Sequence, residues 1–220
     1  MEISGACGRL QAICDKGFVI NGIQNGSLTY KMYGFAQISA NNDSTVPVGQ
    51  ITISNGRLLP DTASALLYFW NDTDTTGKSC PTFGTISNWG IDGNPTYNIP
   101  SFTTTMYAPQ VLTCSASVAS VSKQNVYPVS WNVDGNNSYG IFIKLIYVNR
   151  SNNDITQWDT TISDNGSFSV PSHVLQLFPD SSNVDIAVGR GNYKVYTDSA
   201  GRSYLIVGTS LCIQEIKILP

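Results

Sequence analysis

The second half of the chain, residues 111–219, is a succession of short segments in which apolar side chains recur at alternate positions. In the segment 127–133, YPVSWNV, four large side chains fall on one side of an extended chain: Tyr127, Val129, Trp131 and Val133. Further strand candidates, separated by turn residues, are 111–119, 140–148, 184–188, 192–197, 203–207 and 211–219. Seven or eight strands with turns about every 8–12 positions predict an antiparallel sandwich of immunoglobulin-like type rather than a βαβ fold. Segment 171–179 predicts a single helical turn.

The first half carries weaker strand signals. Residues 28–39 alternate, residues 64–70 are wholly apolar, and Asn55-Gly56 lies between two apolar runs, which predicts a hairpin. Residues 77–101 are rich in Gly, Pro, Asn and Thr, and we expect loops with short strands there. We place a boundary near Pro109 and predict an all-β chain of two antiparallel β-sandwich domains, an N-terminal β-rich domain (1–108) and an immunoglobulin-like domain (109–220).

Composition supports this fold class and limits the partners. The chain has thirteen Asp but only two Glu, and Asp favours turns whereas Glu favours helix interiors. Its twelve Lys and Arg are scattered at a net charge of −3, so we expect no nucleic-acid partner. No apolar run approaches the roughly 20 residues of a membrane helix. The first residues do not resemble a signal peptide, so we expect either a removed leader or another route of export, such as a virion.

Five cysteines allow at most two internal disulfides and leave one residue over: Cys7, Cys14, Cys80, Cys114 and Cys212. Cys7 and Cys14 are close enough to close a small loop. There is no CxxC pair and only one histidine, so a metal role is disfavoured. We expect buried or bridged structural cysteines, and the sequence leaves their pairing open.

Four sequence blocks of the second half carry a resemblance: Trp131-Asn132-Val133-Asp134, then Ile143-Lys144-Leu145-Ile146-Tyr147, then DNGSFSVP at 164–171, and VDIAVGRGN at 184–192. The segment from about Tyr127 to Leu219 is similar to the C-terminal module of small secreted lipoproteins of Bacteroidota. The hairpin segment VGQITISNGRLL resembles the same family more loosely. The resemblance implies a sandwich fold and a cell-surface location, and it implies no chemistry. The lipid-bearing cysteine of that family has no good counterpart at Cys7.

The sequence contains few residues suited to acid–base catalysis. His173 is the only histidine and lies beside Pro171 in a predicted surface turn, without a nucleophile elbow of the G-x-S-x-G type. Glu2 and Glu215 lie near the chain ends, and the aspartates mostly occupy turn positions, where a carboxyl group is a poor general acid. We therefore expect a protein that is not an enzyme, although catalysis by a pair of aspartates stays open.

Two weak ligand sites are suggested. Asp72-Thr73-Asp74 resembles the start of a calcium loop, and we expect Asp72 and Asp74 to bind Ca²⁺ only weakly or not at all, because Phe83 replaces the final bidentate glutamate. No other cofactor is expected. Trp89, between Asn88 and Gly90, is the tryptophan that we expect to be exposed, and with Tyr97 it could stack on a sugar.

The sequence thus predicts a binding or adhesion protein, extracellular or at a cell surface, that recognises a glycan or another surface protein and that could form oligomers. The alternative is a structural protein of a virion or extracellular filament, acting as a decoration or fibre subunit. A hydrolase is a more distant third.

Overall fold

A computed structural model describes residues 16–24, 30–38, 49–53, 56–60, 68–69, 83–116, 118–199, 201 and 203–220. Its regular structure is almost entirely β, which confirms the all-β prediction. The strands are β1 (Lys16–Gln24), β2 (Tyr30–Ile38), β3 (Ile51–Ile53), β4 (Gly56–Pro60), β5 (Tyr68–Phe69), β6 (Thr85–Ile91), β7 (Phe102–Ala108), β8 (Cys114–Ala116), β9 (Ser120–Ser122), β10 (Tyr127–Trp131), β11 (Ile141–Asn149), β12 (Asp154–Ile162), β13 (Ser167–Val170), β14 (Asn183–Thr197) and β15 (Ser203–Leu219). One short helix, α1 (Ser172–Leu175), and a 3-10 turn, Pro95–Tyr97, complete the described elements.

The chain divides into two compact units. The N-terminal unit comprises Met1–Val111 and Gly191–Ser210, and the C-terminal unit comprises Leu112–Arg190 and Leu211–Pro220. The first division lies close to the boundary that we placed near Pro109. No sequence pattern predicted that residues 191–210 group with the N-terminal residues.

The strands at the end of the chain explain this second division. We expected four short strands separated by turns at residues 189–191 and 208–210, and that expectation is wrong. The structure has two long strands instead, the fifteen-residue β14 and the seventeen-residue β15. The glycines in these two places lie within extended backbone and do not form turns. Each long strand therefore contributes residues to both units.

The C-terminal unit is built from two sets of strands. A three-stranded sheet has the order β13-β10-β8, and a second set has the order β12-β11-β14-β15 with β9 beside β15. The β9–β15 pair is parallel, contrary to the expectation of antiparallel pairing alone, whereas the β11–β12 and β11–β14 pairs are antiparallel. Both sets contribute to one core of buried apolar residues, which includes Val129, Leu145, Ile186 and Ile216.

The periodicity in this unit is confirmed for most positions. Tyr127, Val129 and Trp131 are all buried, as their alternation predicts. Val133 lies beyond the end of β10 and is exposed. The predicted helical turn is α1, which directs Val174 and Leu175 into the core.

Strands β1-β2-β5-β4-β3-β6-β7 lie in that order in the N-terminal unit. The predicted hairpin is confirmed, because β3 and β4 pair antiparallel with Ile53 opposite Gly56. Strand β1, which pairs with β2 along its whole length, was not predicted. Within the residues that the structure describes, no helix has the length and apolar character needed to cross a membrane.

Candidate functional site

An ion pair lies inside the C-terminal unit. Arg190, in strand β14, has a side chain that is 0% exposed, and the side chain of Asp164, just before β13, is 3% exposed. The distance from Arg190 Nε to Asp164 Oδ2 is 3.2 Å, and Arg190 Nη2 lies 3.3 Å from Oδ1. A buried ion pair is stable only when further hydrogen bonds satisfy both partners.

Neighbouring residues supply those bonds. The indole Nε1 of Trp131 donates to Asp164 Oδ1 at 2.8 Å, and Asn137 Nδ2 donates to Oδ2 at 2.9 Å. Arg190 Nη2 also donates to the carbonyl oxygen of Asn132. We call these five residues the Asp164 cluster. Its carboxylate is held by an indole, an amide and a guanidinium at once, so it is a well-satisfied polar group.

The backbone around the cluster is fixed by local pairing. Asn132 Oδ1 accepts from the Thr113 amide at 2.7 Å, and the Asn132 amide donates to the Thr113 carbonyl at 3.2 Å. The Trp131 amide donates to the carbonyl of Gly166 at 2.9 Å. Gly166 has φ of 92°, and a Cβ there would lie 2.9 Å from Val133 Cγ2, so glycine is required at this turn.

The cluster gathers residues from three of the sequence blocks that carry the resemblance described above. Trp131 and Asn132 come from the first block, Asp164 and Gly166 from the third, and Arg190 from the last. From the sequence we interpreted those blocks as turns and core strands, and we did not predict the polar contacts between them. One signal was present: each block places a polar residue beside a strand that is otherwise apolar. The cluster holds the turns against the core.

The predicted exposure of Trp89 is wrong. Its side chain is 1% exposed, because it lies at the centre of β6, opposite Ile53 of β3 and Thr104 of β7. A sugar-stacking platform needs an accessible ring face, which Trp89 does not offer. Tyr97 is the last residue of the 3-10 turn Pro95–Tyr97. Asn94 caps the start of this turn, because its Oδ1 accepts a hydrogen bond from the Thr96 amide at 3.0 Å. The side chain of Tyr97 lies outside the described part, so its role stays a prediction.

The other candidate residues have different outcomes. Asp72 and Asp74 lie outside the described residues, so weak calcium binding there stays a prediction. In the parts of the chain that the structure does describe, no group of three or more His, Cys, Asp or Glu residues is placed to hold a metal ion. His173 is exposed on α1, in keeping with the surface position that we expected.

The outward side of β11 and β12 carries both apolar and charged side chains. Because Ile141, Ile143 and Leu145 are completely buried, the intervening residues of β11 face outward. Three cross-strand pairs line this side: Lys144 with Asp159, Ile146 with Gln157, and Val148 with Ile155. Val148 is 47% exposed and Ile155 is 63% exposed, so two apolar side chains lie directly opposite each other in solvent. We call these six residues the outer face.

Charged groups border the outer face. Asp185 of β14 lies opposite Ile146 of β11. Partial burial raises the pKa of Asp185, the neighbouring carboxylate of Glu215 raises it further, and the guanidinium of Arg150 opposes both effects. Glu215 Oε1 also accepts a hydrogen bond from Asn183 Nδ2 at 3.2 Å. The exposed apolar pair lies at one end of the outer face, beside the β11–β12 turn, and exposed apolar groups next to polar and charged ones are common on surfaces that bind proteins.

No protein-family model matches this sequence, and no curated protein is significantly similar to it.

Proposed function

We propose that this chain is a non-enzymatic binding or adhesion protein of a cell surface, similar to the surface lipoproteins of Bacteroidota. We also propose that its C-terminal unit is an immunoglobulin-like sandwich that binds a partner protein through the outer face. The observation that carries the proposal is the solvent-exposed pair Val148 and Ile155 on a sheet whose other side is a tightly packed core. Such a sheet presents apolar groups on a rigid support.

The strand order supports the immunoglobulin-like assignment. In the constant-type fold the first, second, fourth and fifth strands share one sheet and the third, sixth and seventh share the other, and the variable type adds a strand, C′, beside the third. Counted without the short parallel strand β9, the C-terminal unit has seven described strands, and its fourth, β12, lies beside β11 in the place of C′. Here β8, β10 and β13 form one sheet, and β11, β14 and β15 are neighbours in the other set, with β12 at its edge. The short helix α1 joins β13 to β14 across the core.

A protein partner is favoured over a glycan by the positions of the three tryptophans that the structure describes. Trp89 and Trp131 are buried, and Trp158 packs against the core with its ring centroid 6.4 Å from that of Phe168. The exposed groups on the outer face are aliphatic, charged or amide, and protein interfaces combine an apolar core with a polar rim. In the Asp164 cluster the buried carboxylate and guanidinium are engaged with each other, so we propose a structural role for this cluster.

The test combines an array of purified extracellular and cell-surface proteins, a glycan array and a mass measurement by light scattering on the same sample. We expect binding to a protein on the array, and at least about a tenfold loss of affinity in Ile155→Glu, because a charge would be buried in the contact in place of an apolar side chain. The matched control is Ile86→Glu, which changes a 71% exposed isoleucine on β6 of the N-terminal unit and should bind normally.

Three results would contradict the proposal. If Ile155→Glu and Ile86→Glu bound the partner equally well, the outer face would not be the binding surface. Binding to glycans alone would favour the carbohydrate alternative. Concentration-dependent growth of large assemblies that Ile155→Glu abolishes would favour a structural subunit of a virion or filament, since the outer face would then bind another copy of the chain.

A further inference from the structure

Two cysteines from different strands meet inside the C-terminal unit. Cys114 begins β8, opposite Trp131 of β10, in the three-stranded sheet. Cys212 lies on β15, in the other set of strands, and is 7% exposed in the core. Cys114 is partly buried and packs against the same core. Both residues are free thiols in this structure.

Their side chains are in direct contact. The Cys114 and Cys212 thiols share a hydrogen bond, which raises the pKa of Cys114, the donor, and lowers the pKa of Cys212, the acceptor. Burial raises the pKa of both thiols, and the charge of Arg190 lowers that of Cys114. Of the two thiol protons of the pair, one is therefore lost easily, and the other is held tightly between the two sulfur atoms.

We propose that Cys114 and Cys212 are the site of a disulfide that joins the two sheets of the C-terminal unit when the protein is in an oxidising environment. A disulfide requires Cβ atoms about 3.5–4.5 Å apart and a sulfur–sulfur bond of about 2.05 Å. Cys114 and Cys212 share a hydrogen bond and pack in the same core, so the two thiols are already neighbours before the bond forms.

The reaction uses a low-molecular-weight disulfide, such as oxidised glutathione, as the oxidant. The shared proton first moves across the hydrogen bond from Cys114 to Cys212. The thiolate of the more accessible Cys114 then attacks the small disulfide, forms a mixed disulfide and releases one small thiolate, which takes up a proton. The Cys212 thiolate then attacks the Cys114 sulfur, the protein disulfide forms, and the second small thiol leaves. Two protein thiols are oxidised, one small disulfide is reduced to two thiols, and the two protein protons pass to those thiols.

This disulfide would close a loop of about 100 residues, the class of cross-link that most restricts the unfolded chain. It would also tie the first strand of the C-terminal unit to its last. Such bonds persist in extracellular compartments and are rare in a reducing cytosol. The inference is independent of the binding partner proposed above.

The experiment isolates the pair in a variant with Cys7→Ser, Cys14→Ser and Cys80→Ser. After incubation with oxidised glutathione we expect a mass about 2 Da below that of the reduced protein and no thiol open to alkylation. We also expect a melting temperature higher by on the order of 10 °C, which a thiol reductant reverses. Adding Cys114→Ser gives the matched control, which cannot form the bond and should show no rise.

Two outcomes would overturn the proposal. One is a folded protein in which both thiols stay open to alkylation after oxidation. The other is a stable glutathione adduct on Cys114 beside a free Cys212. If the triple variant fails to fold, peptide mapping of the oxidised wild-type chain decides the matter. A linked peptide pair containing Cys114 and Cys212 is then expected, and either residue bonded to another cysteine would contradict the inference.

Discussion

Strand β14 carries two cations in different environments. Arg190, in the C-terminal unit, is buried among apolar side chains, whereas Lys194, four residues further along in the N-terminal unit, lies near the surface. Arg190 is 0% exposed and paired with Asp164. Lys194 donates from Nζ to the carbonyl of Thr105 at 2.9 Å, in an exposed position. Two cations of one strand therefore occupy very different environments.

The difference shows where a polar residue specifies structure. A buried guanidinium and carboxylate must each find several partners, so their neighbours are constrained in type and geometry. A surface ammonium that binds one carbonyl can be rehydrated at little cost. We therefore expect substitutions in the Asp164 cluster to disturb the fold far more than substitutions around Lys194.

Arg190→Ala is expected to have one of the largest effects. It would leave the buried carboxylate of Asp164 without its counter-charge, at a cost of about 3–5 kcal/mol in the free energy of unfolding. The control Lys194→Ala should cost less than about 1 kcal/mol. Urea unfolding followed by tryptophan fluorescence measures both. Similar losses in the two variants would remove the distinction between the buried and the surface cation.

The two buried tryptophans extend the comparison. Trp89→Ala should cost about 3–4 kcal/mol, because it empties a fully buried site between β3 and β7. Trp131→Ala should reach the upper end of about 3–5 kcal/mol, since it also removes the donor to Asp164. The control Tyr193→Ala changes a 50% exposed ring and should cost under about 1 kcal/mol. If Trp89→Ala were as stable as that control, Trp89 would be exposed, as the sequence suggested, and not buried.

The same two residues show how far the sequence could predict the fold. Trp131 alternates with Tyr127 and Val129, all of them apolar and inward, so its strand and its burial could be inferred from residue type alone. Trp89 shares its inward side with Ser87, which is also fully buried, and the next residue is Gly90. A buried serine breaks the apolar alternation, and glycine suggests a loop. Neighbouring strands, not local propensity, make this segment a strand.

Local sequence patterns could not predict contacts between distant parts of the chain. The cluster residues Trp131, Asp164 and Arg190 come from three separate segments, and only the fold brings them together. Glycines flank Arg190 on both sides, which suggested a turn, yet β14 continues through them because it pairs with β11 as far as Arg190. The contact between Cys114 and Cys212 could not be inferred either, because five cysteines allow several combinations.

The smallest effect concerns Asp185, which borders the outer face. Partial burial and the nearby Glu215 carboxylate raise the pKa of Asp185 above its ordinary value of 3.8. Between that value and the folded-state pKa, the folded protein holds a proton that the unfolded chain has released, so stability falls as pH rises through this window. The destabilisation is complete above the folded-state pKa and absent below the unfolded-state pKa. Asp185→Asn removes the charge and should therefore be more stable than the wild type at pH 7 and equally stable near pH 3.

Because Asp185 lies on the exposed side of β14, solvent screening limits the gain to under about 0.5 kcal/mol. Thermal melting at pH 7 and near pH 3, in low salt, measures the difference. Asp180→Asn is the matched control, since Asp180 is exposed and forms an ion pair with Lys123, so its removal should bring no gain. A gain for Asp185→Asn that persists unchanged near pH 3 would show that packing of the amide, and not loss of the charge, stabilises the variant. No gain at pH 7 would mean that Arg150 already neutralises the repulsion from Glu215.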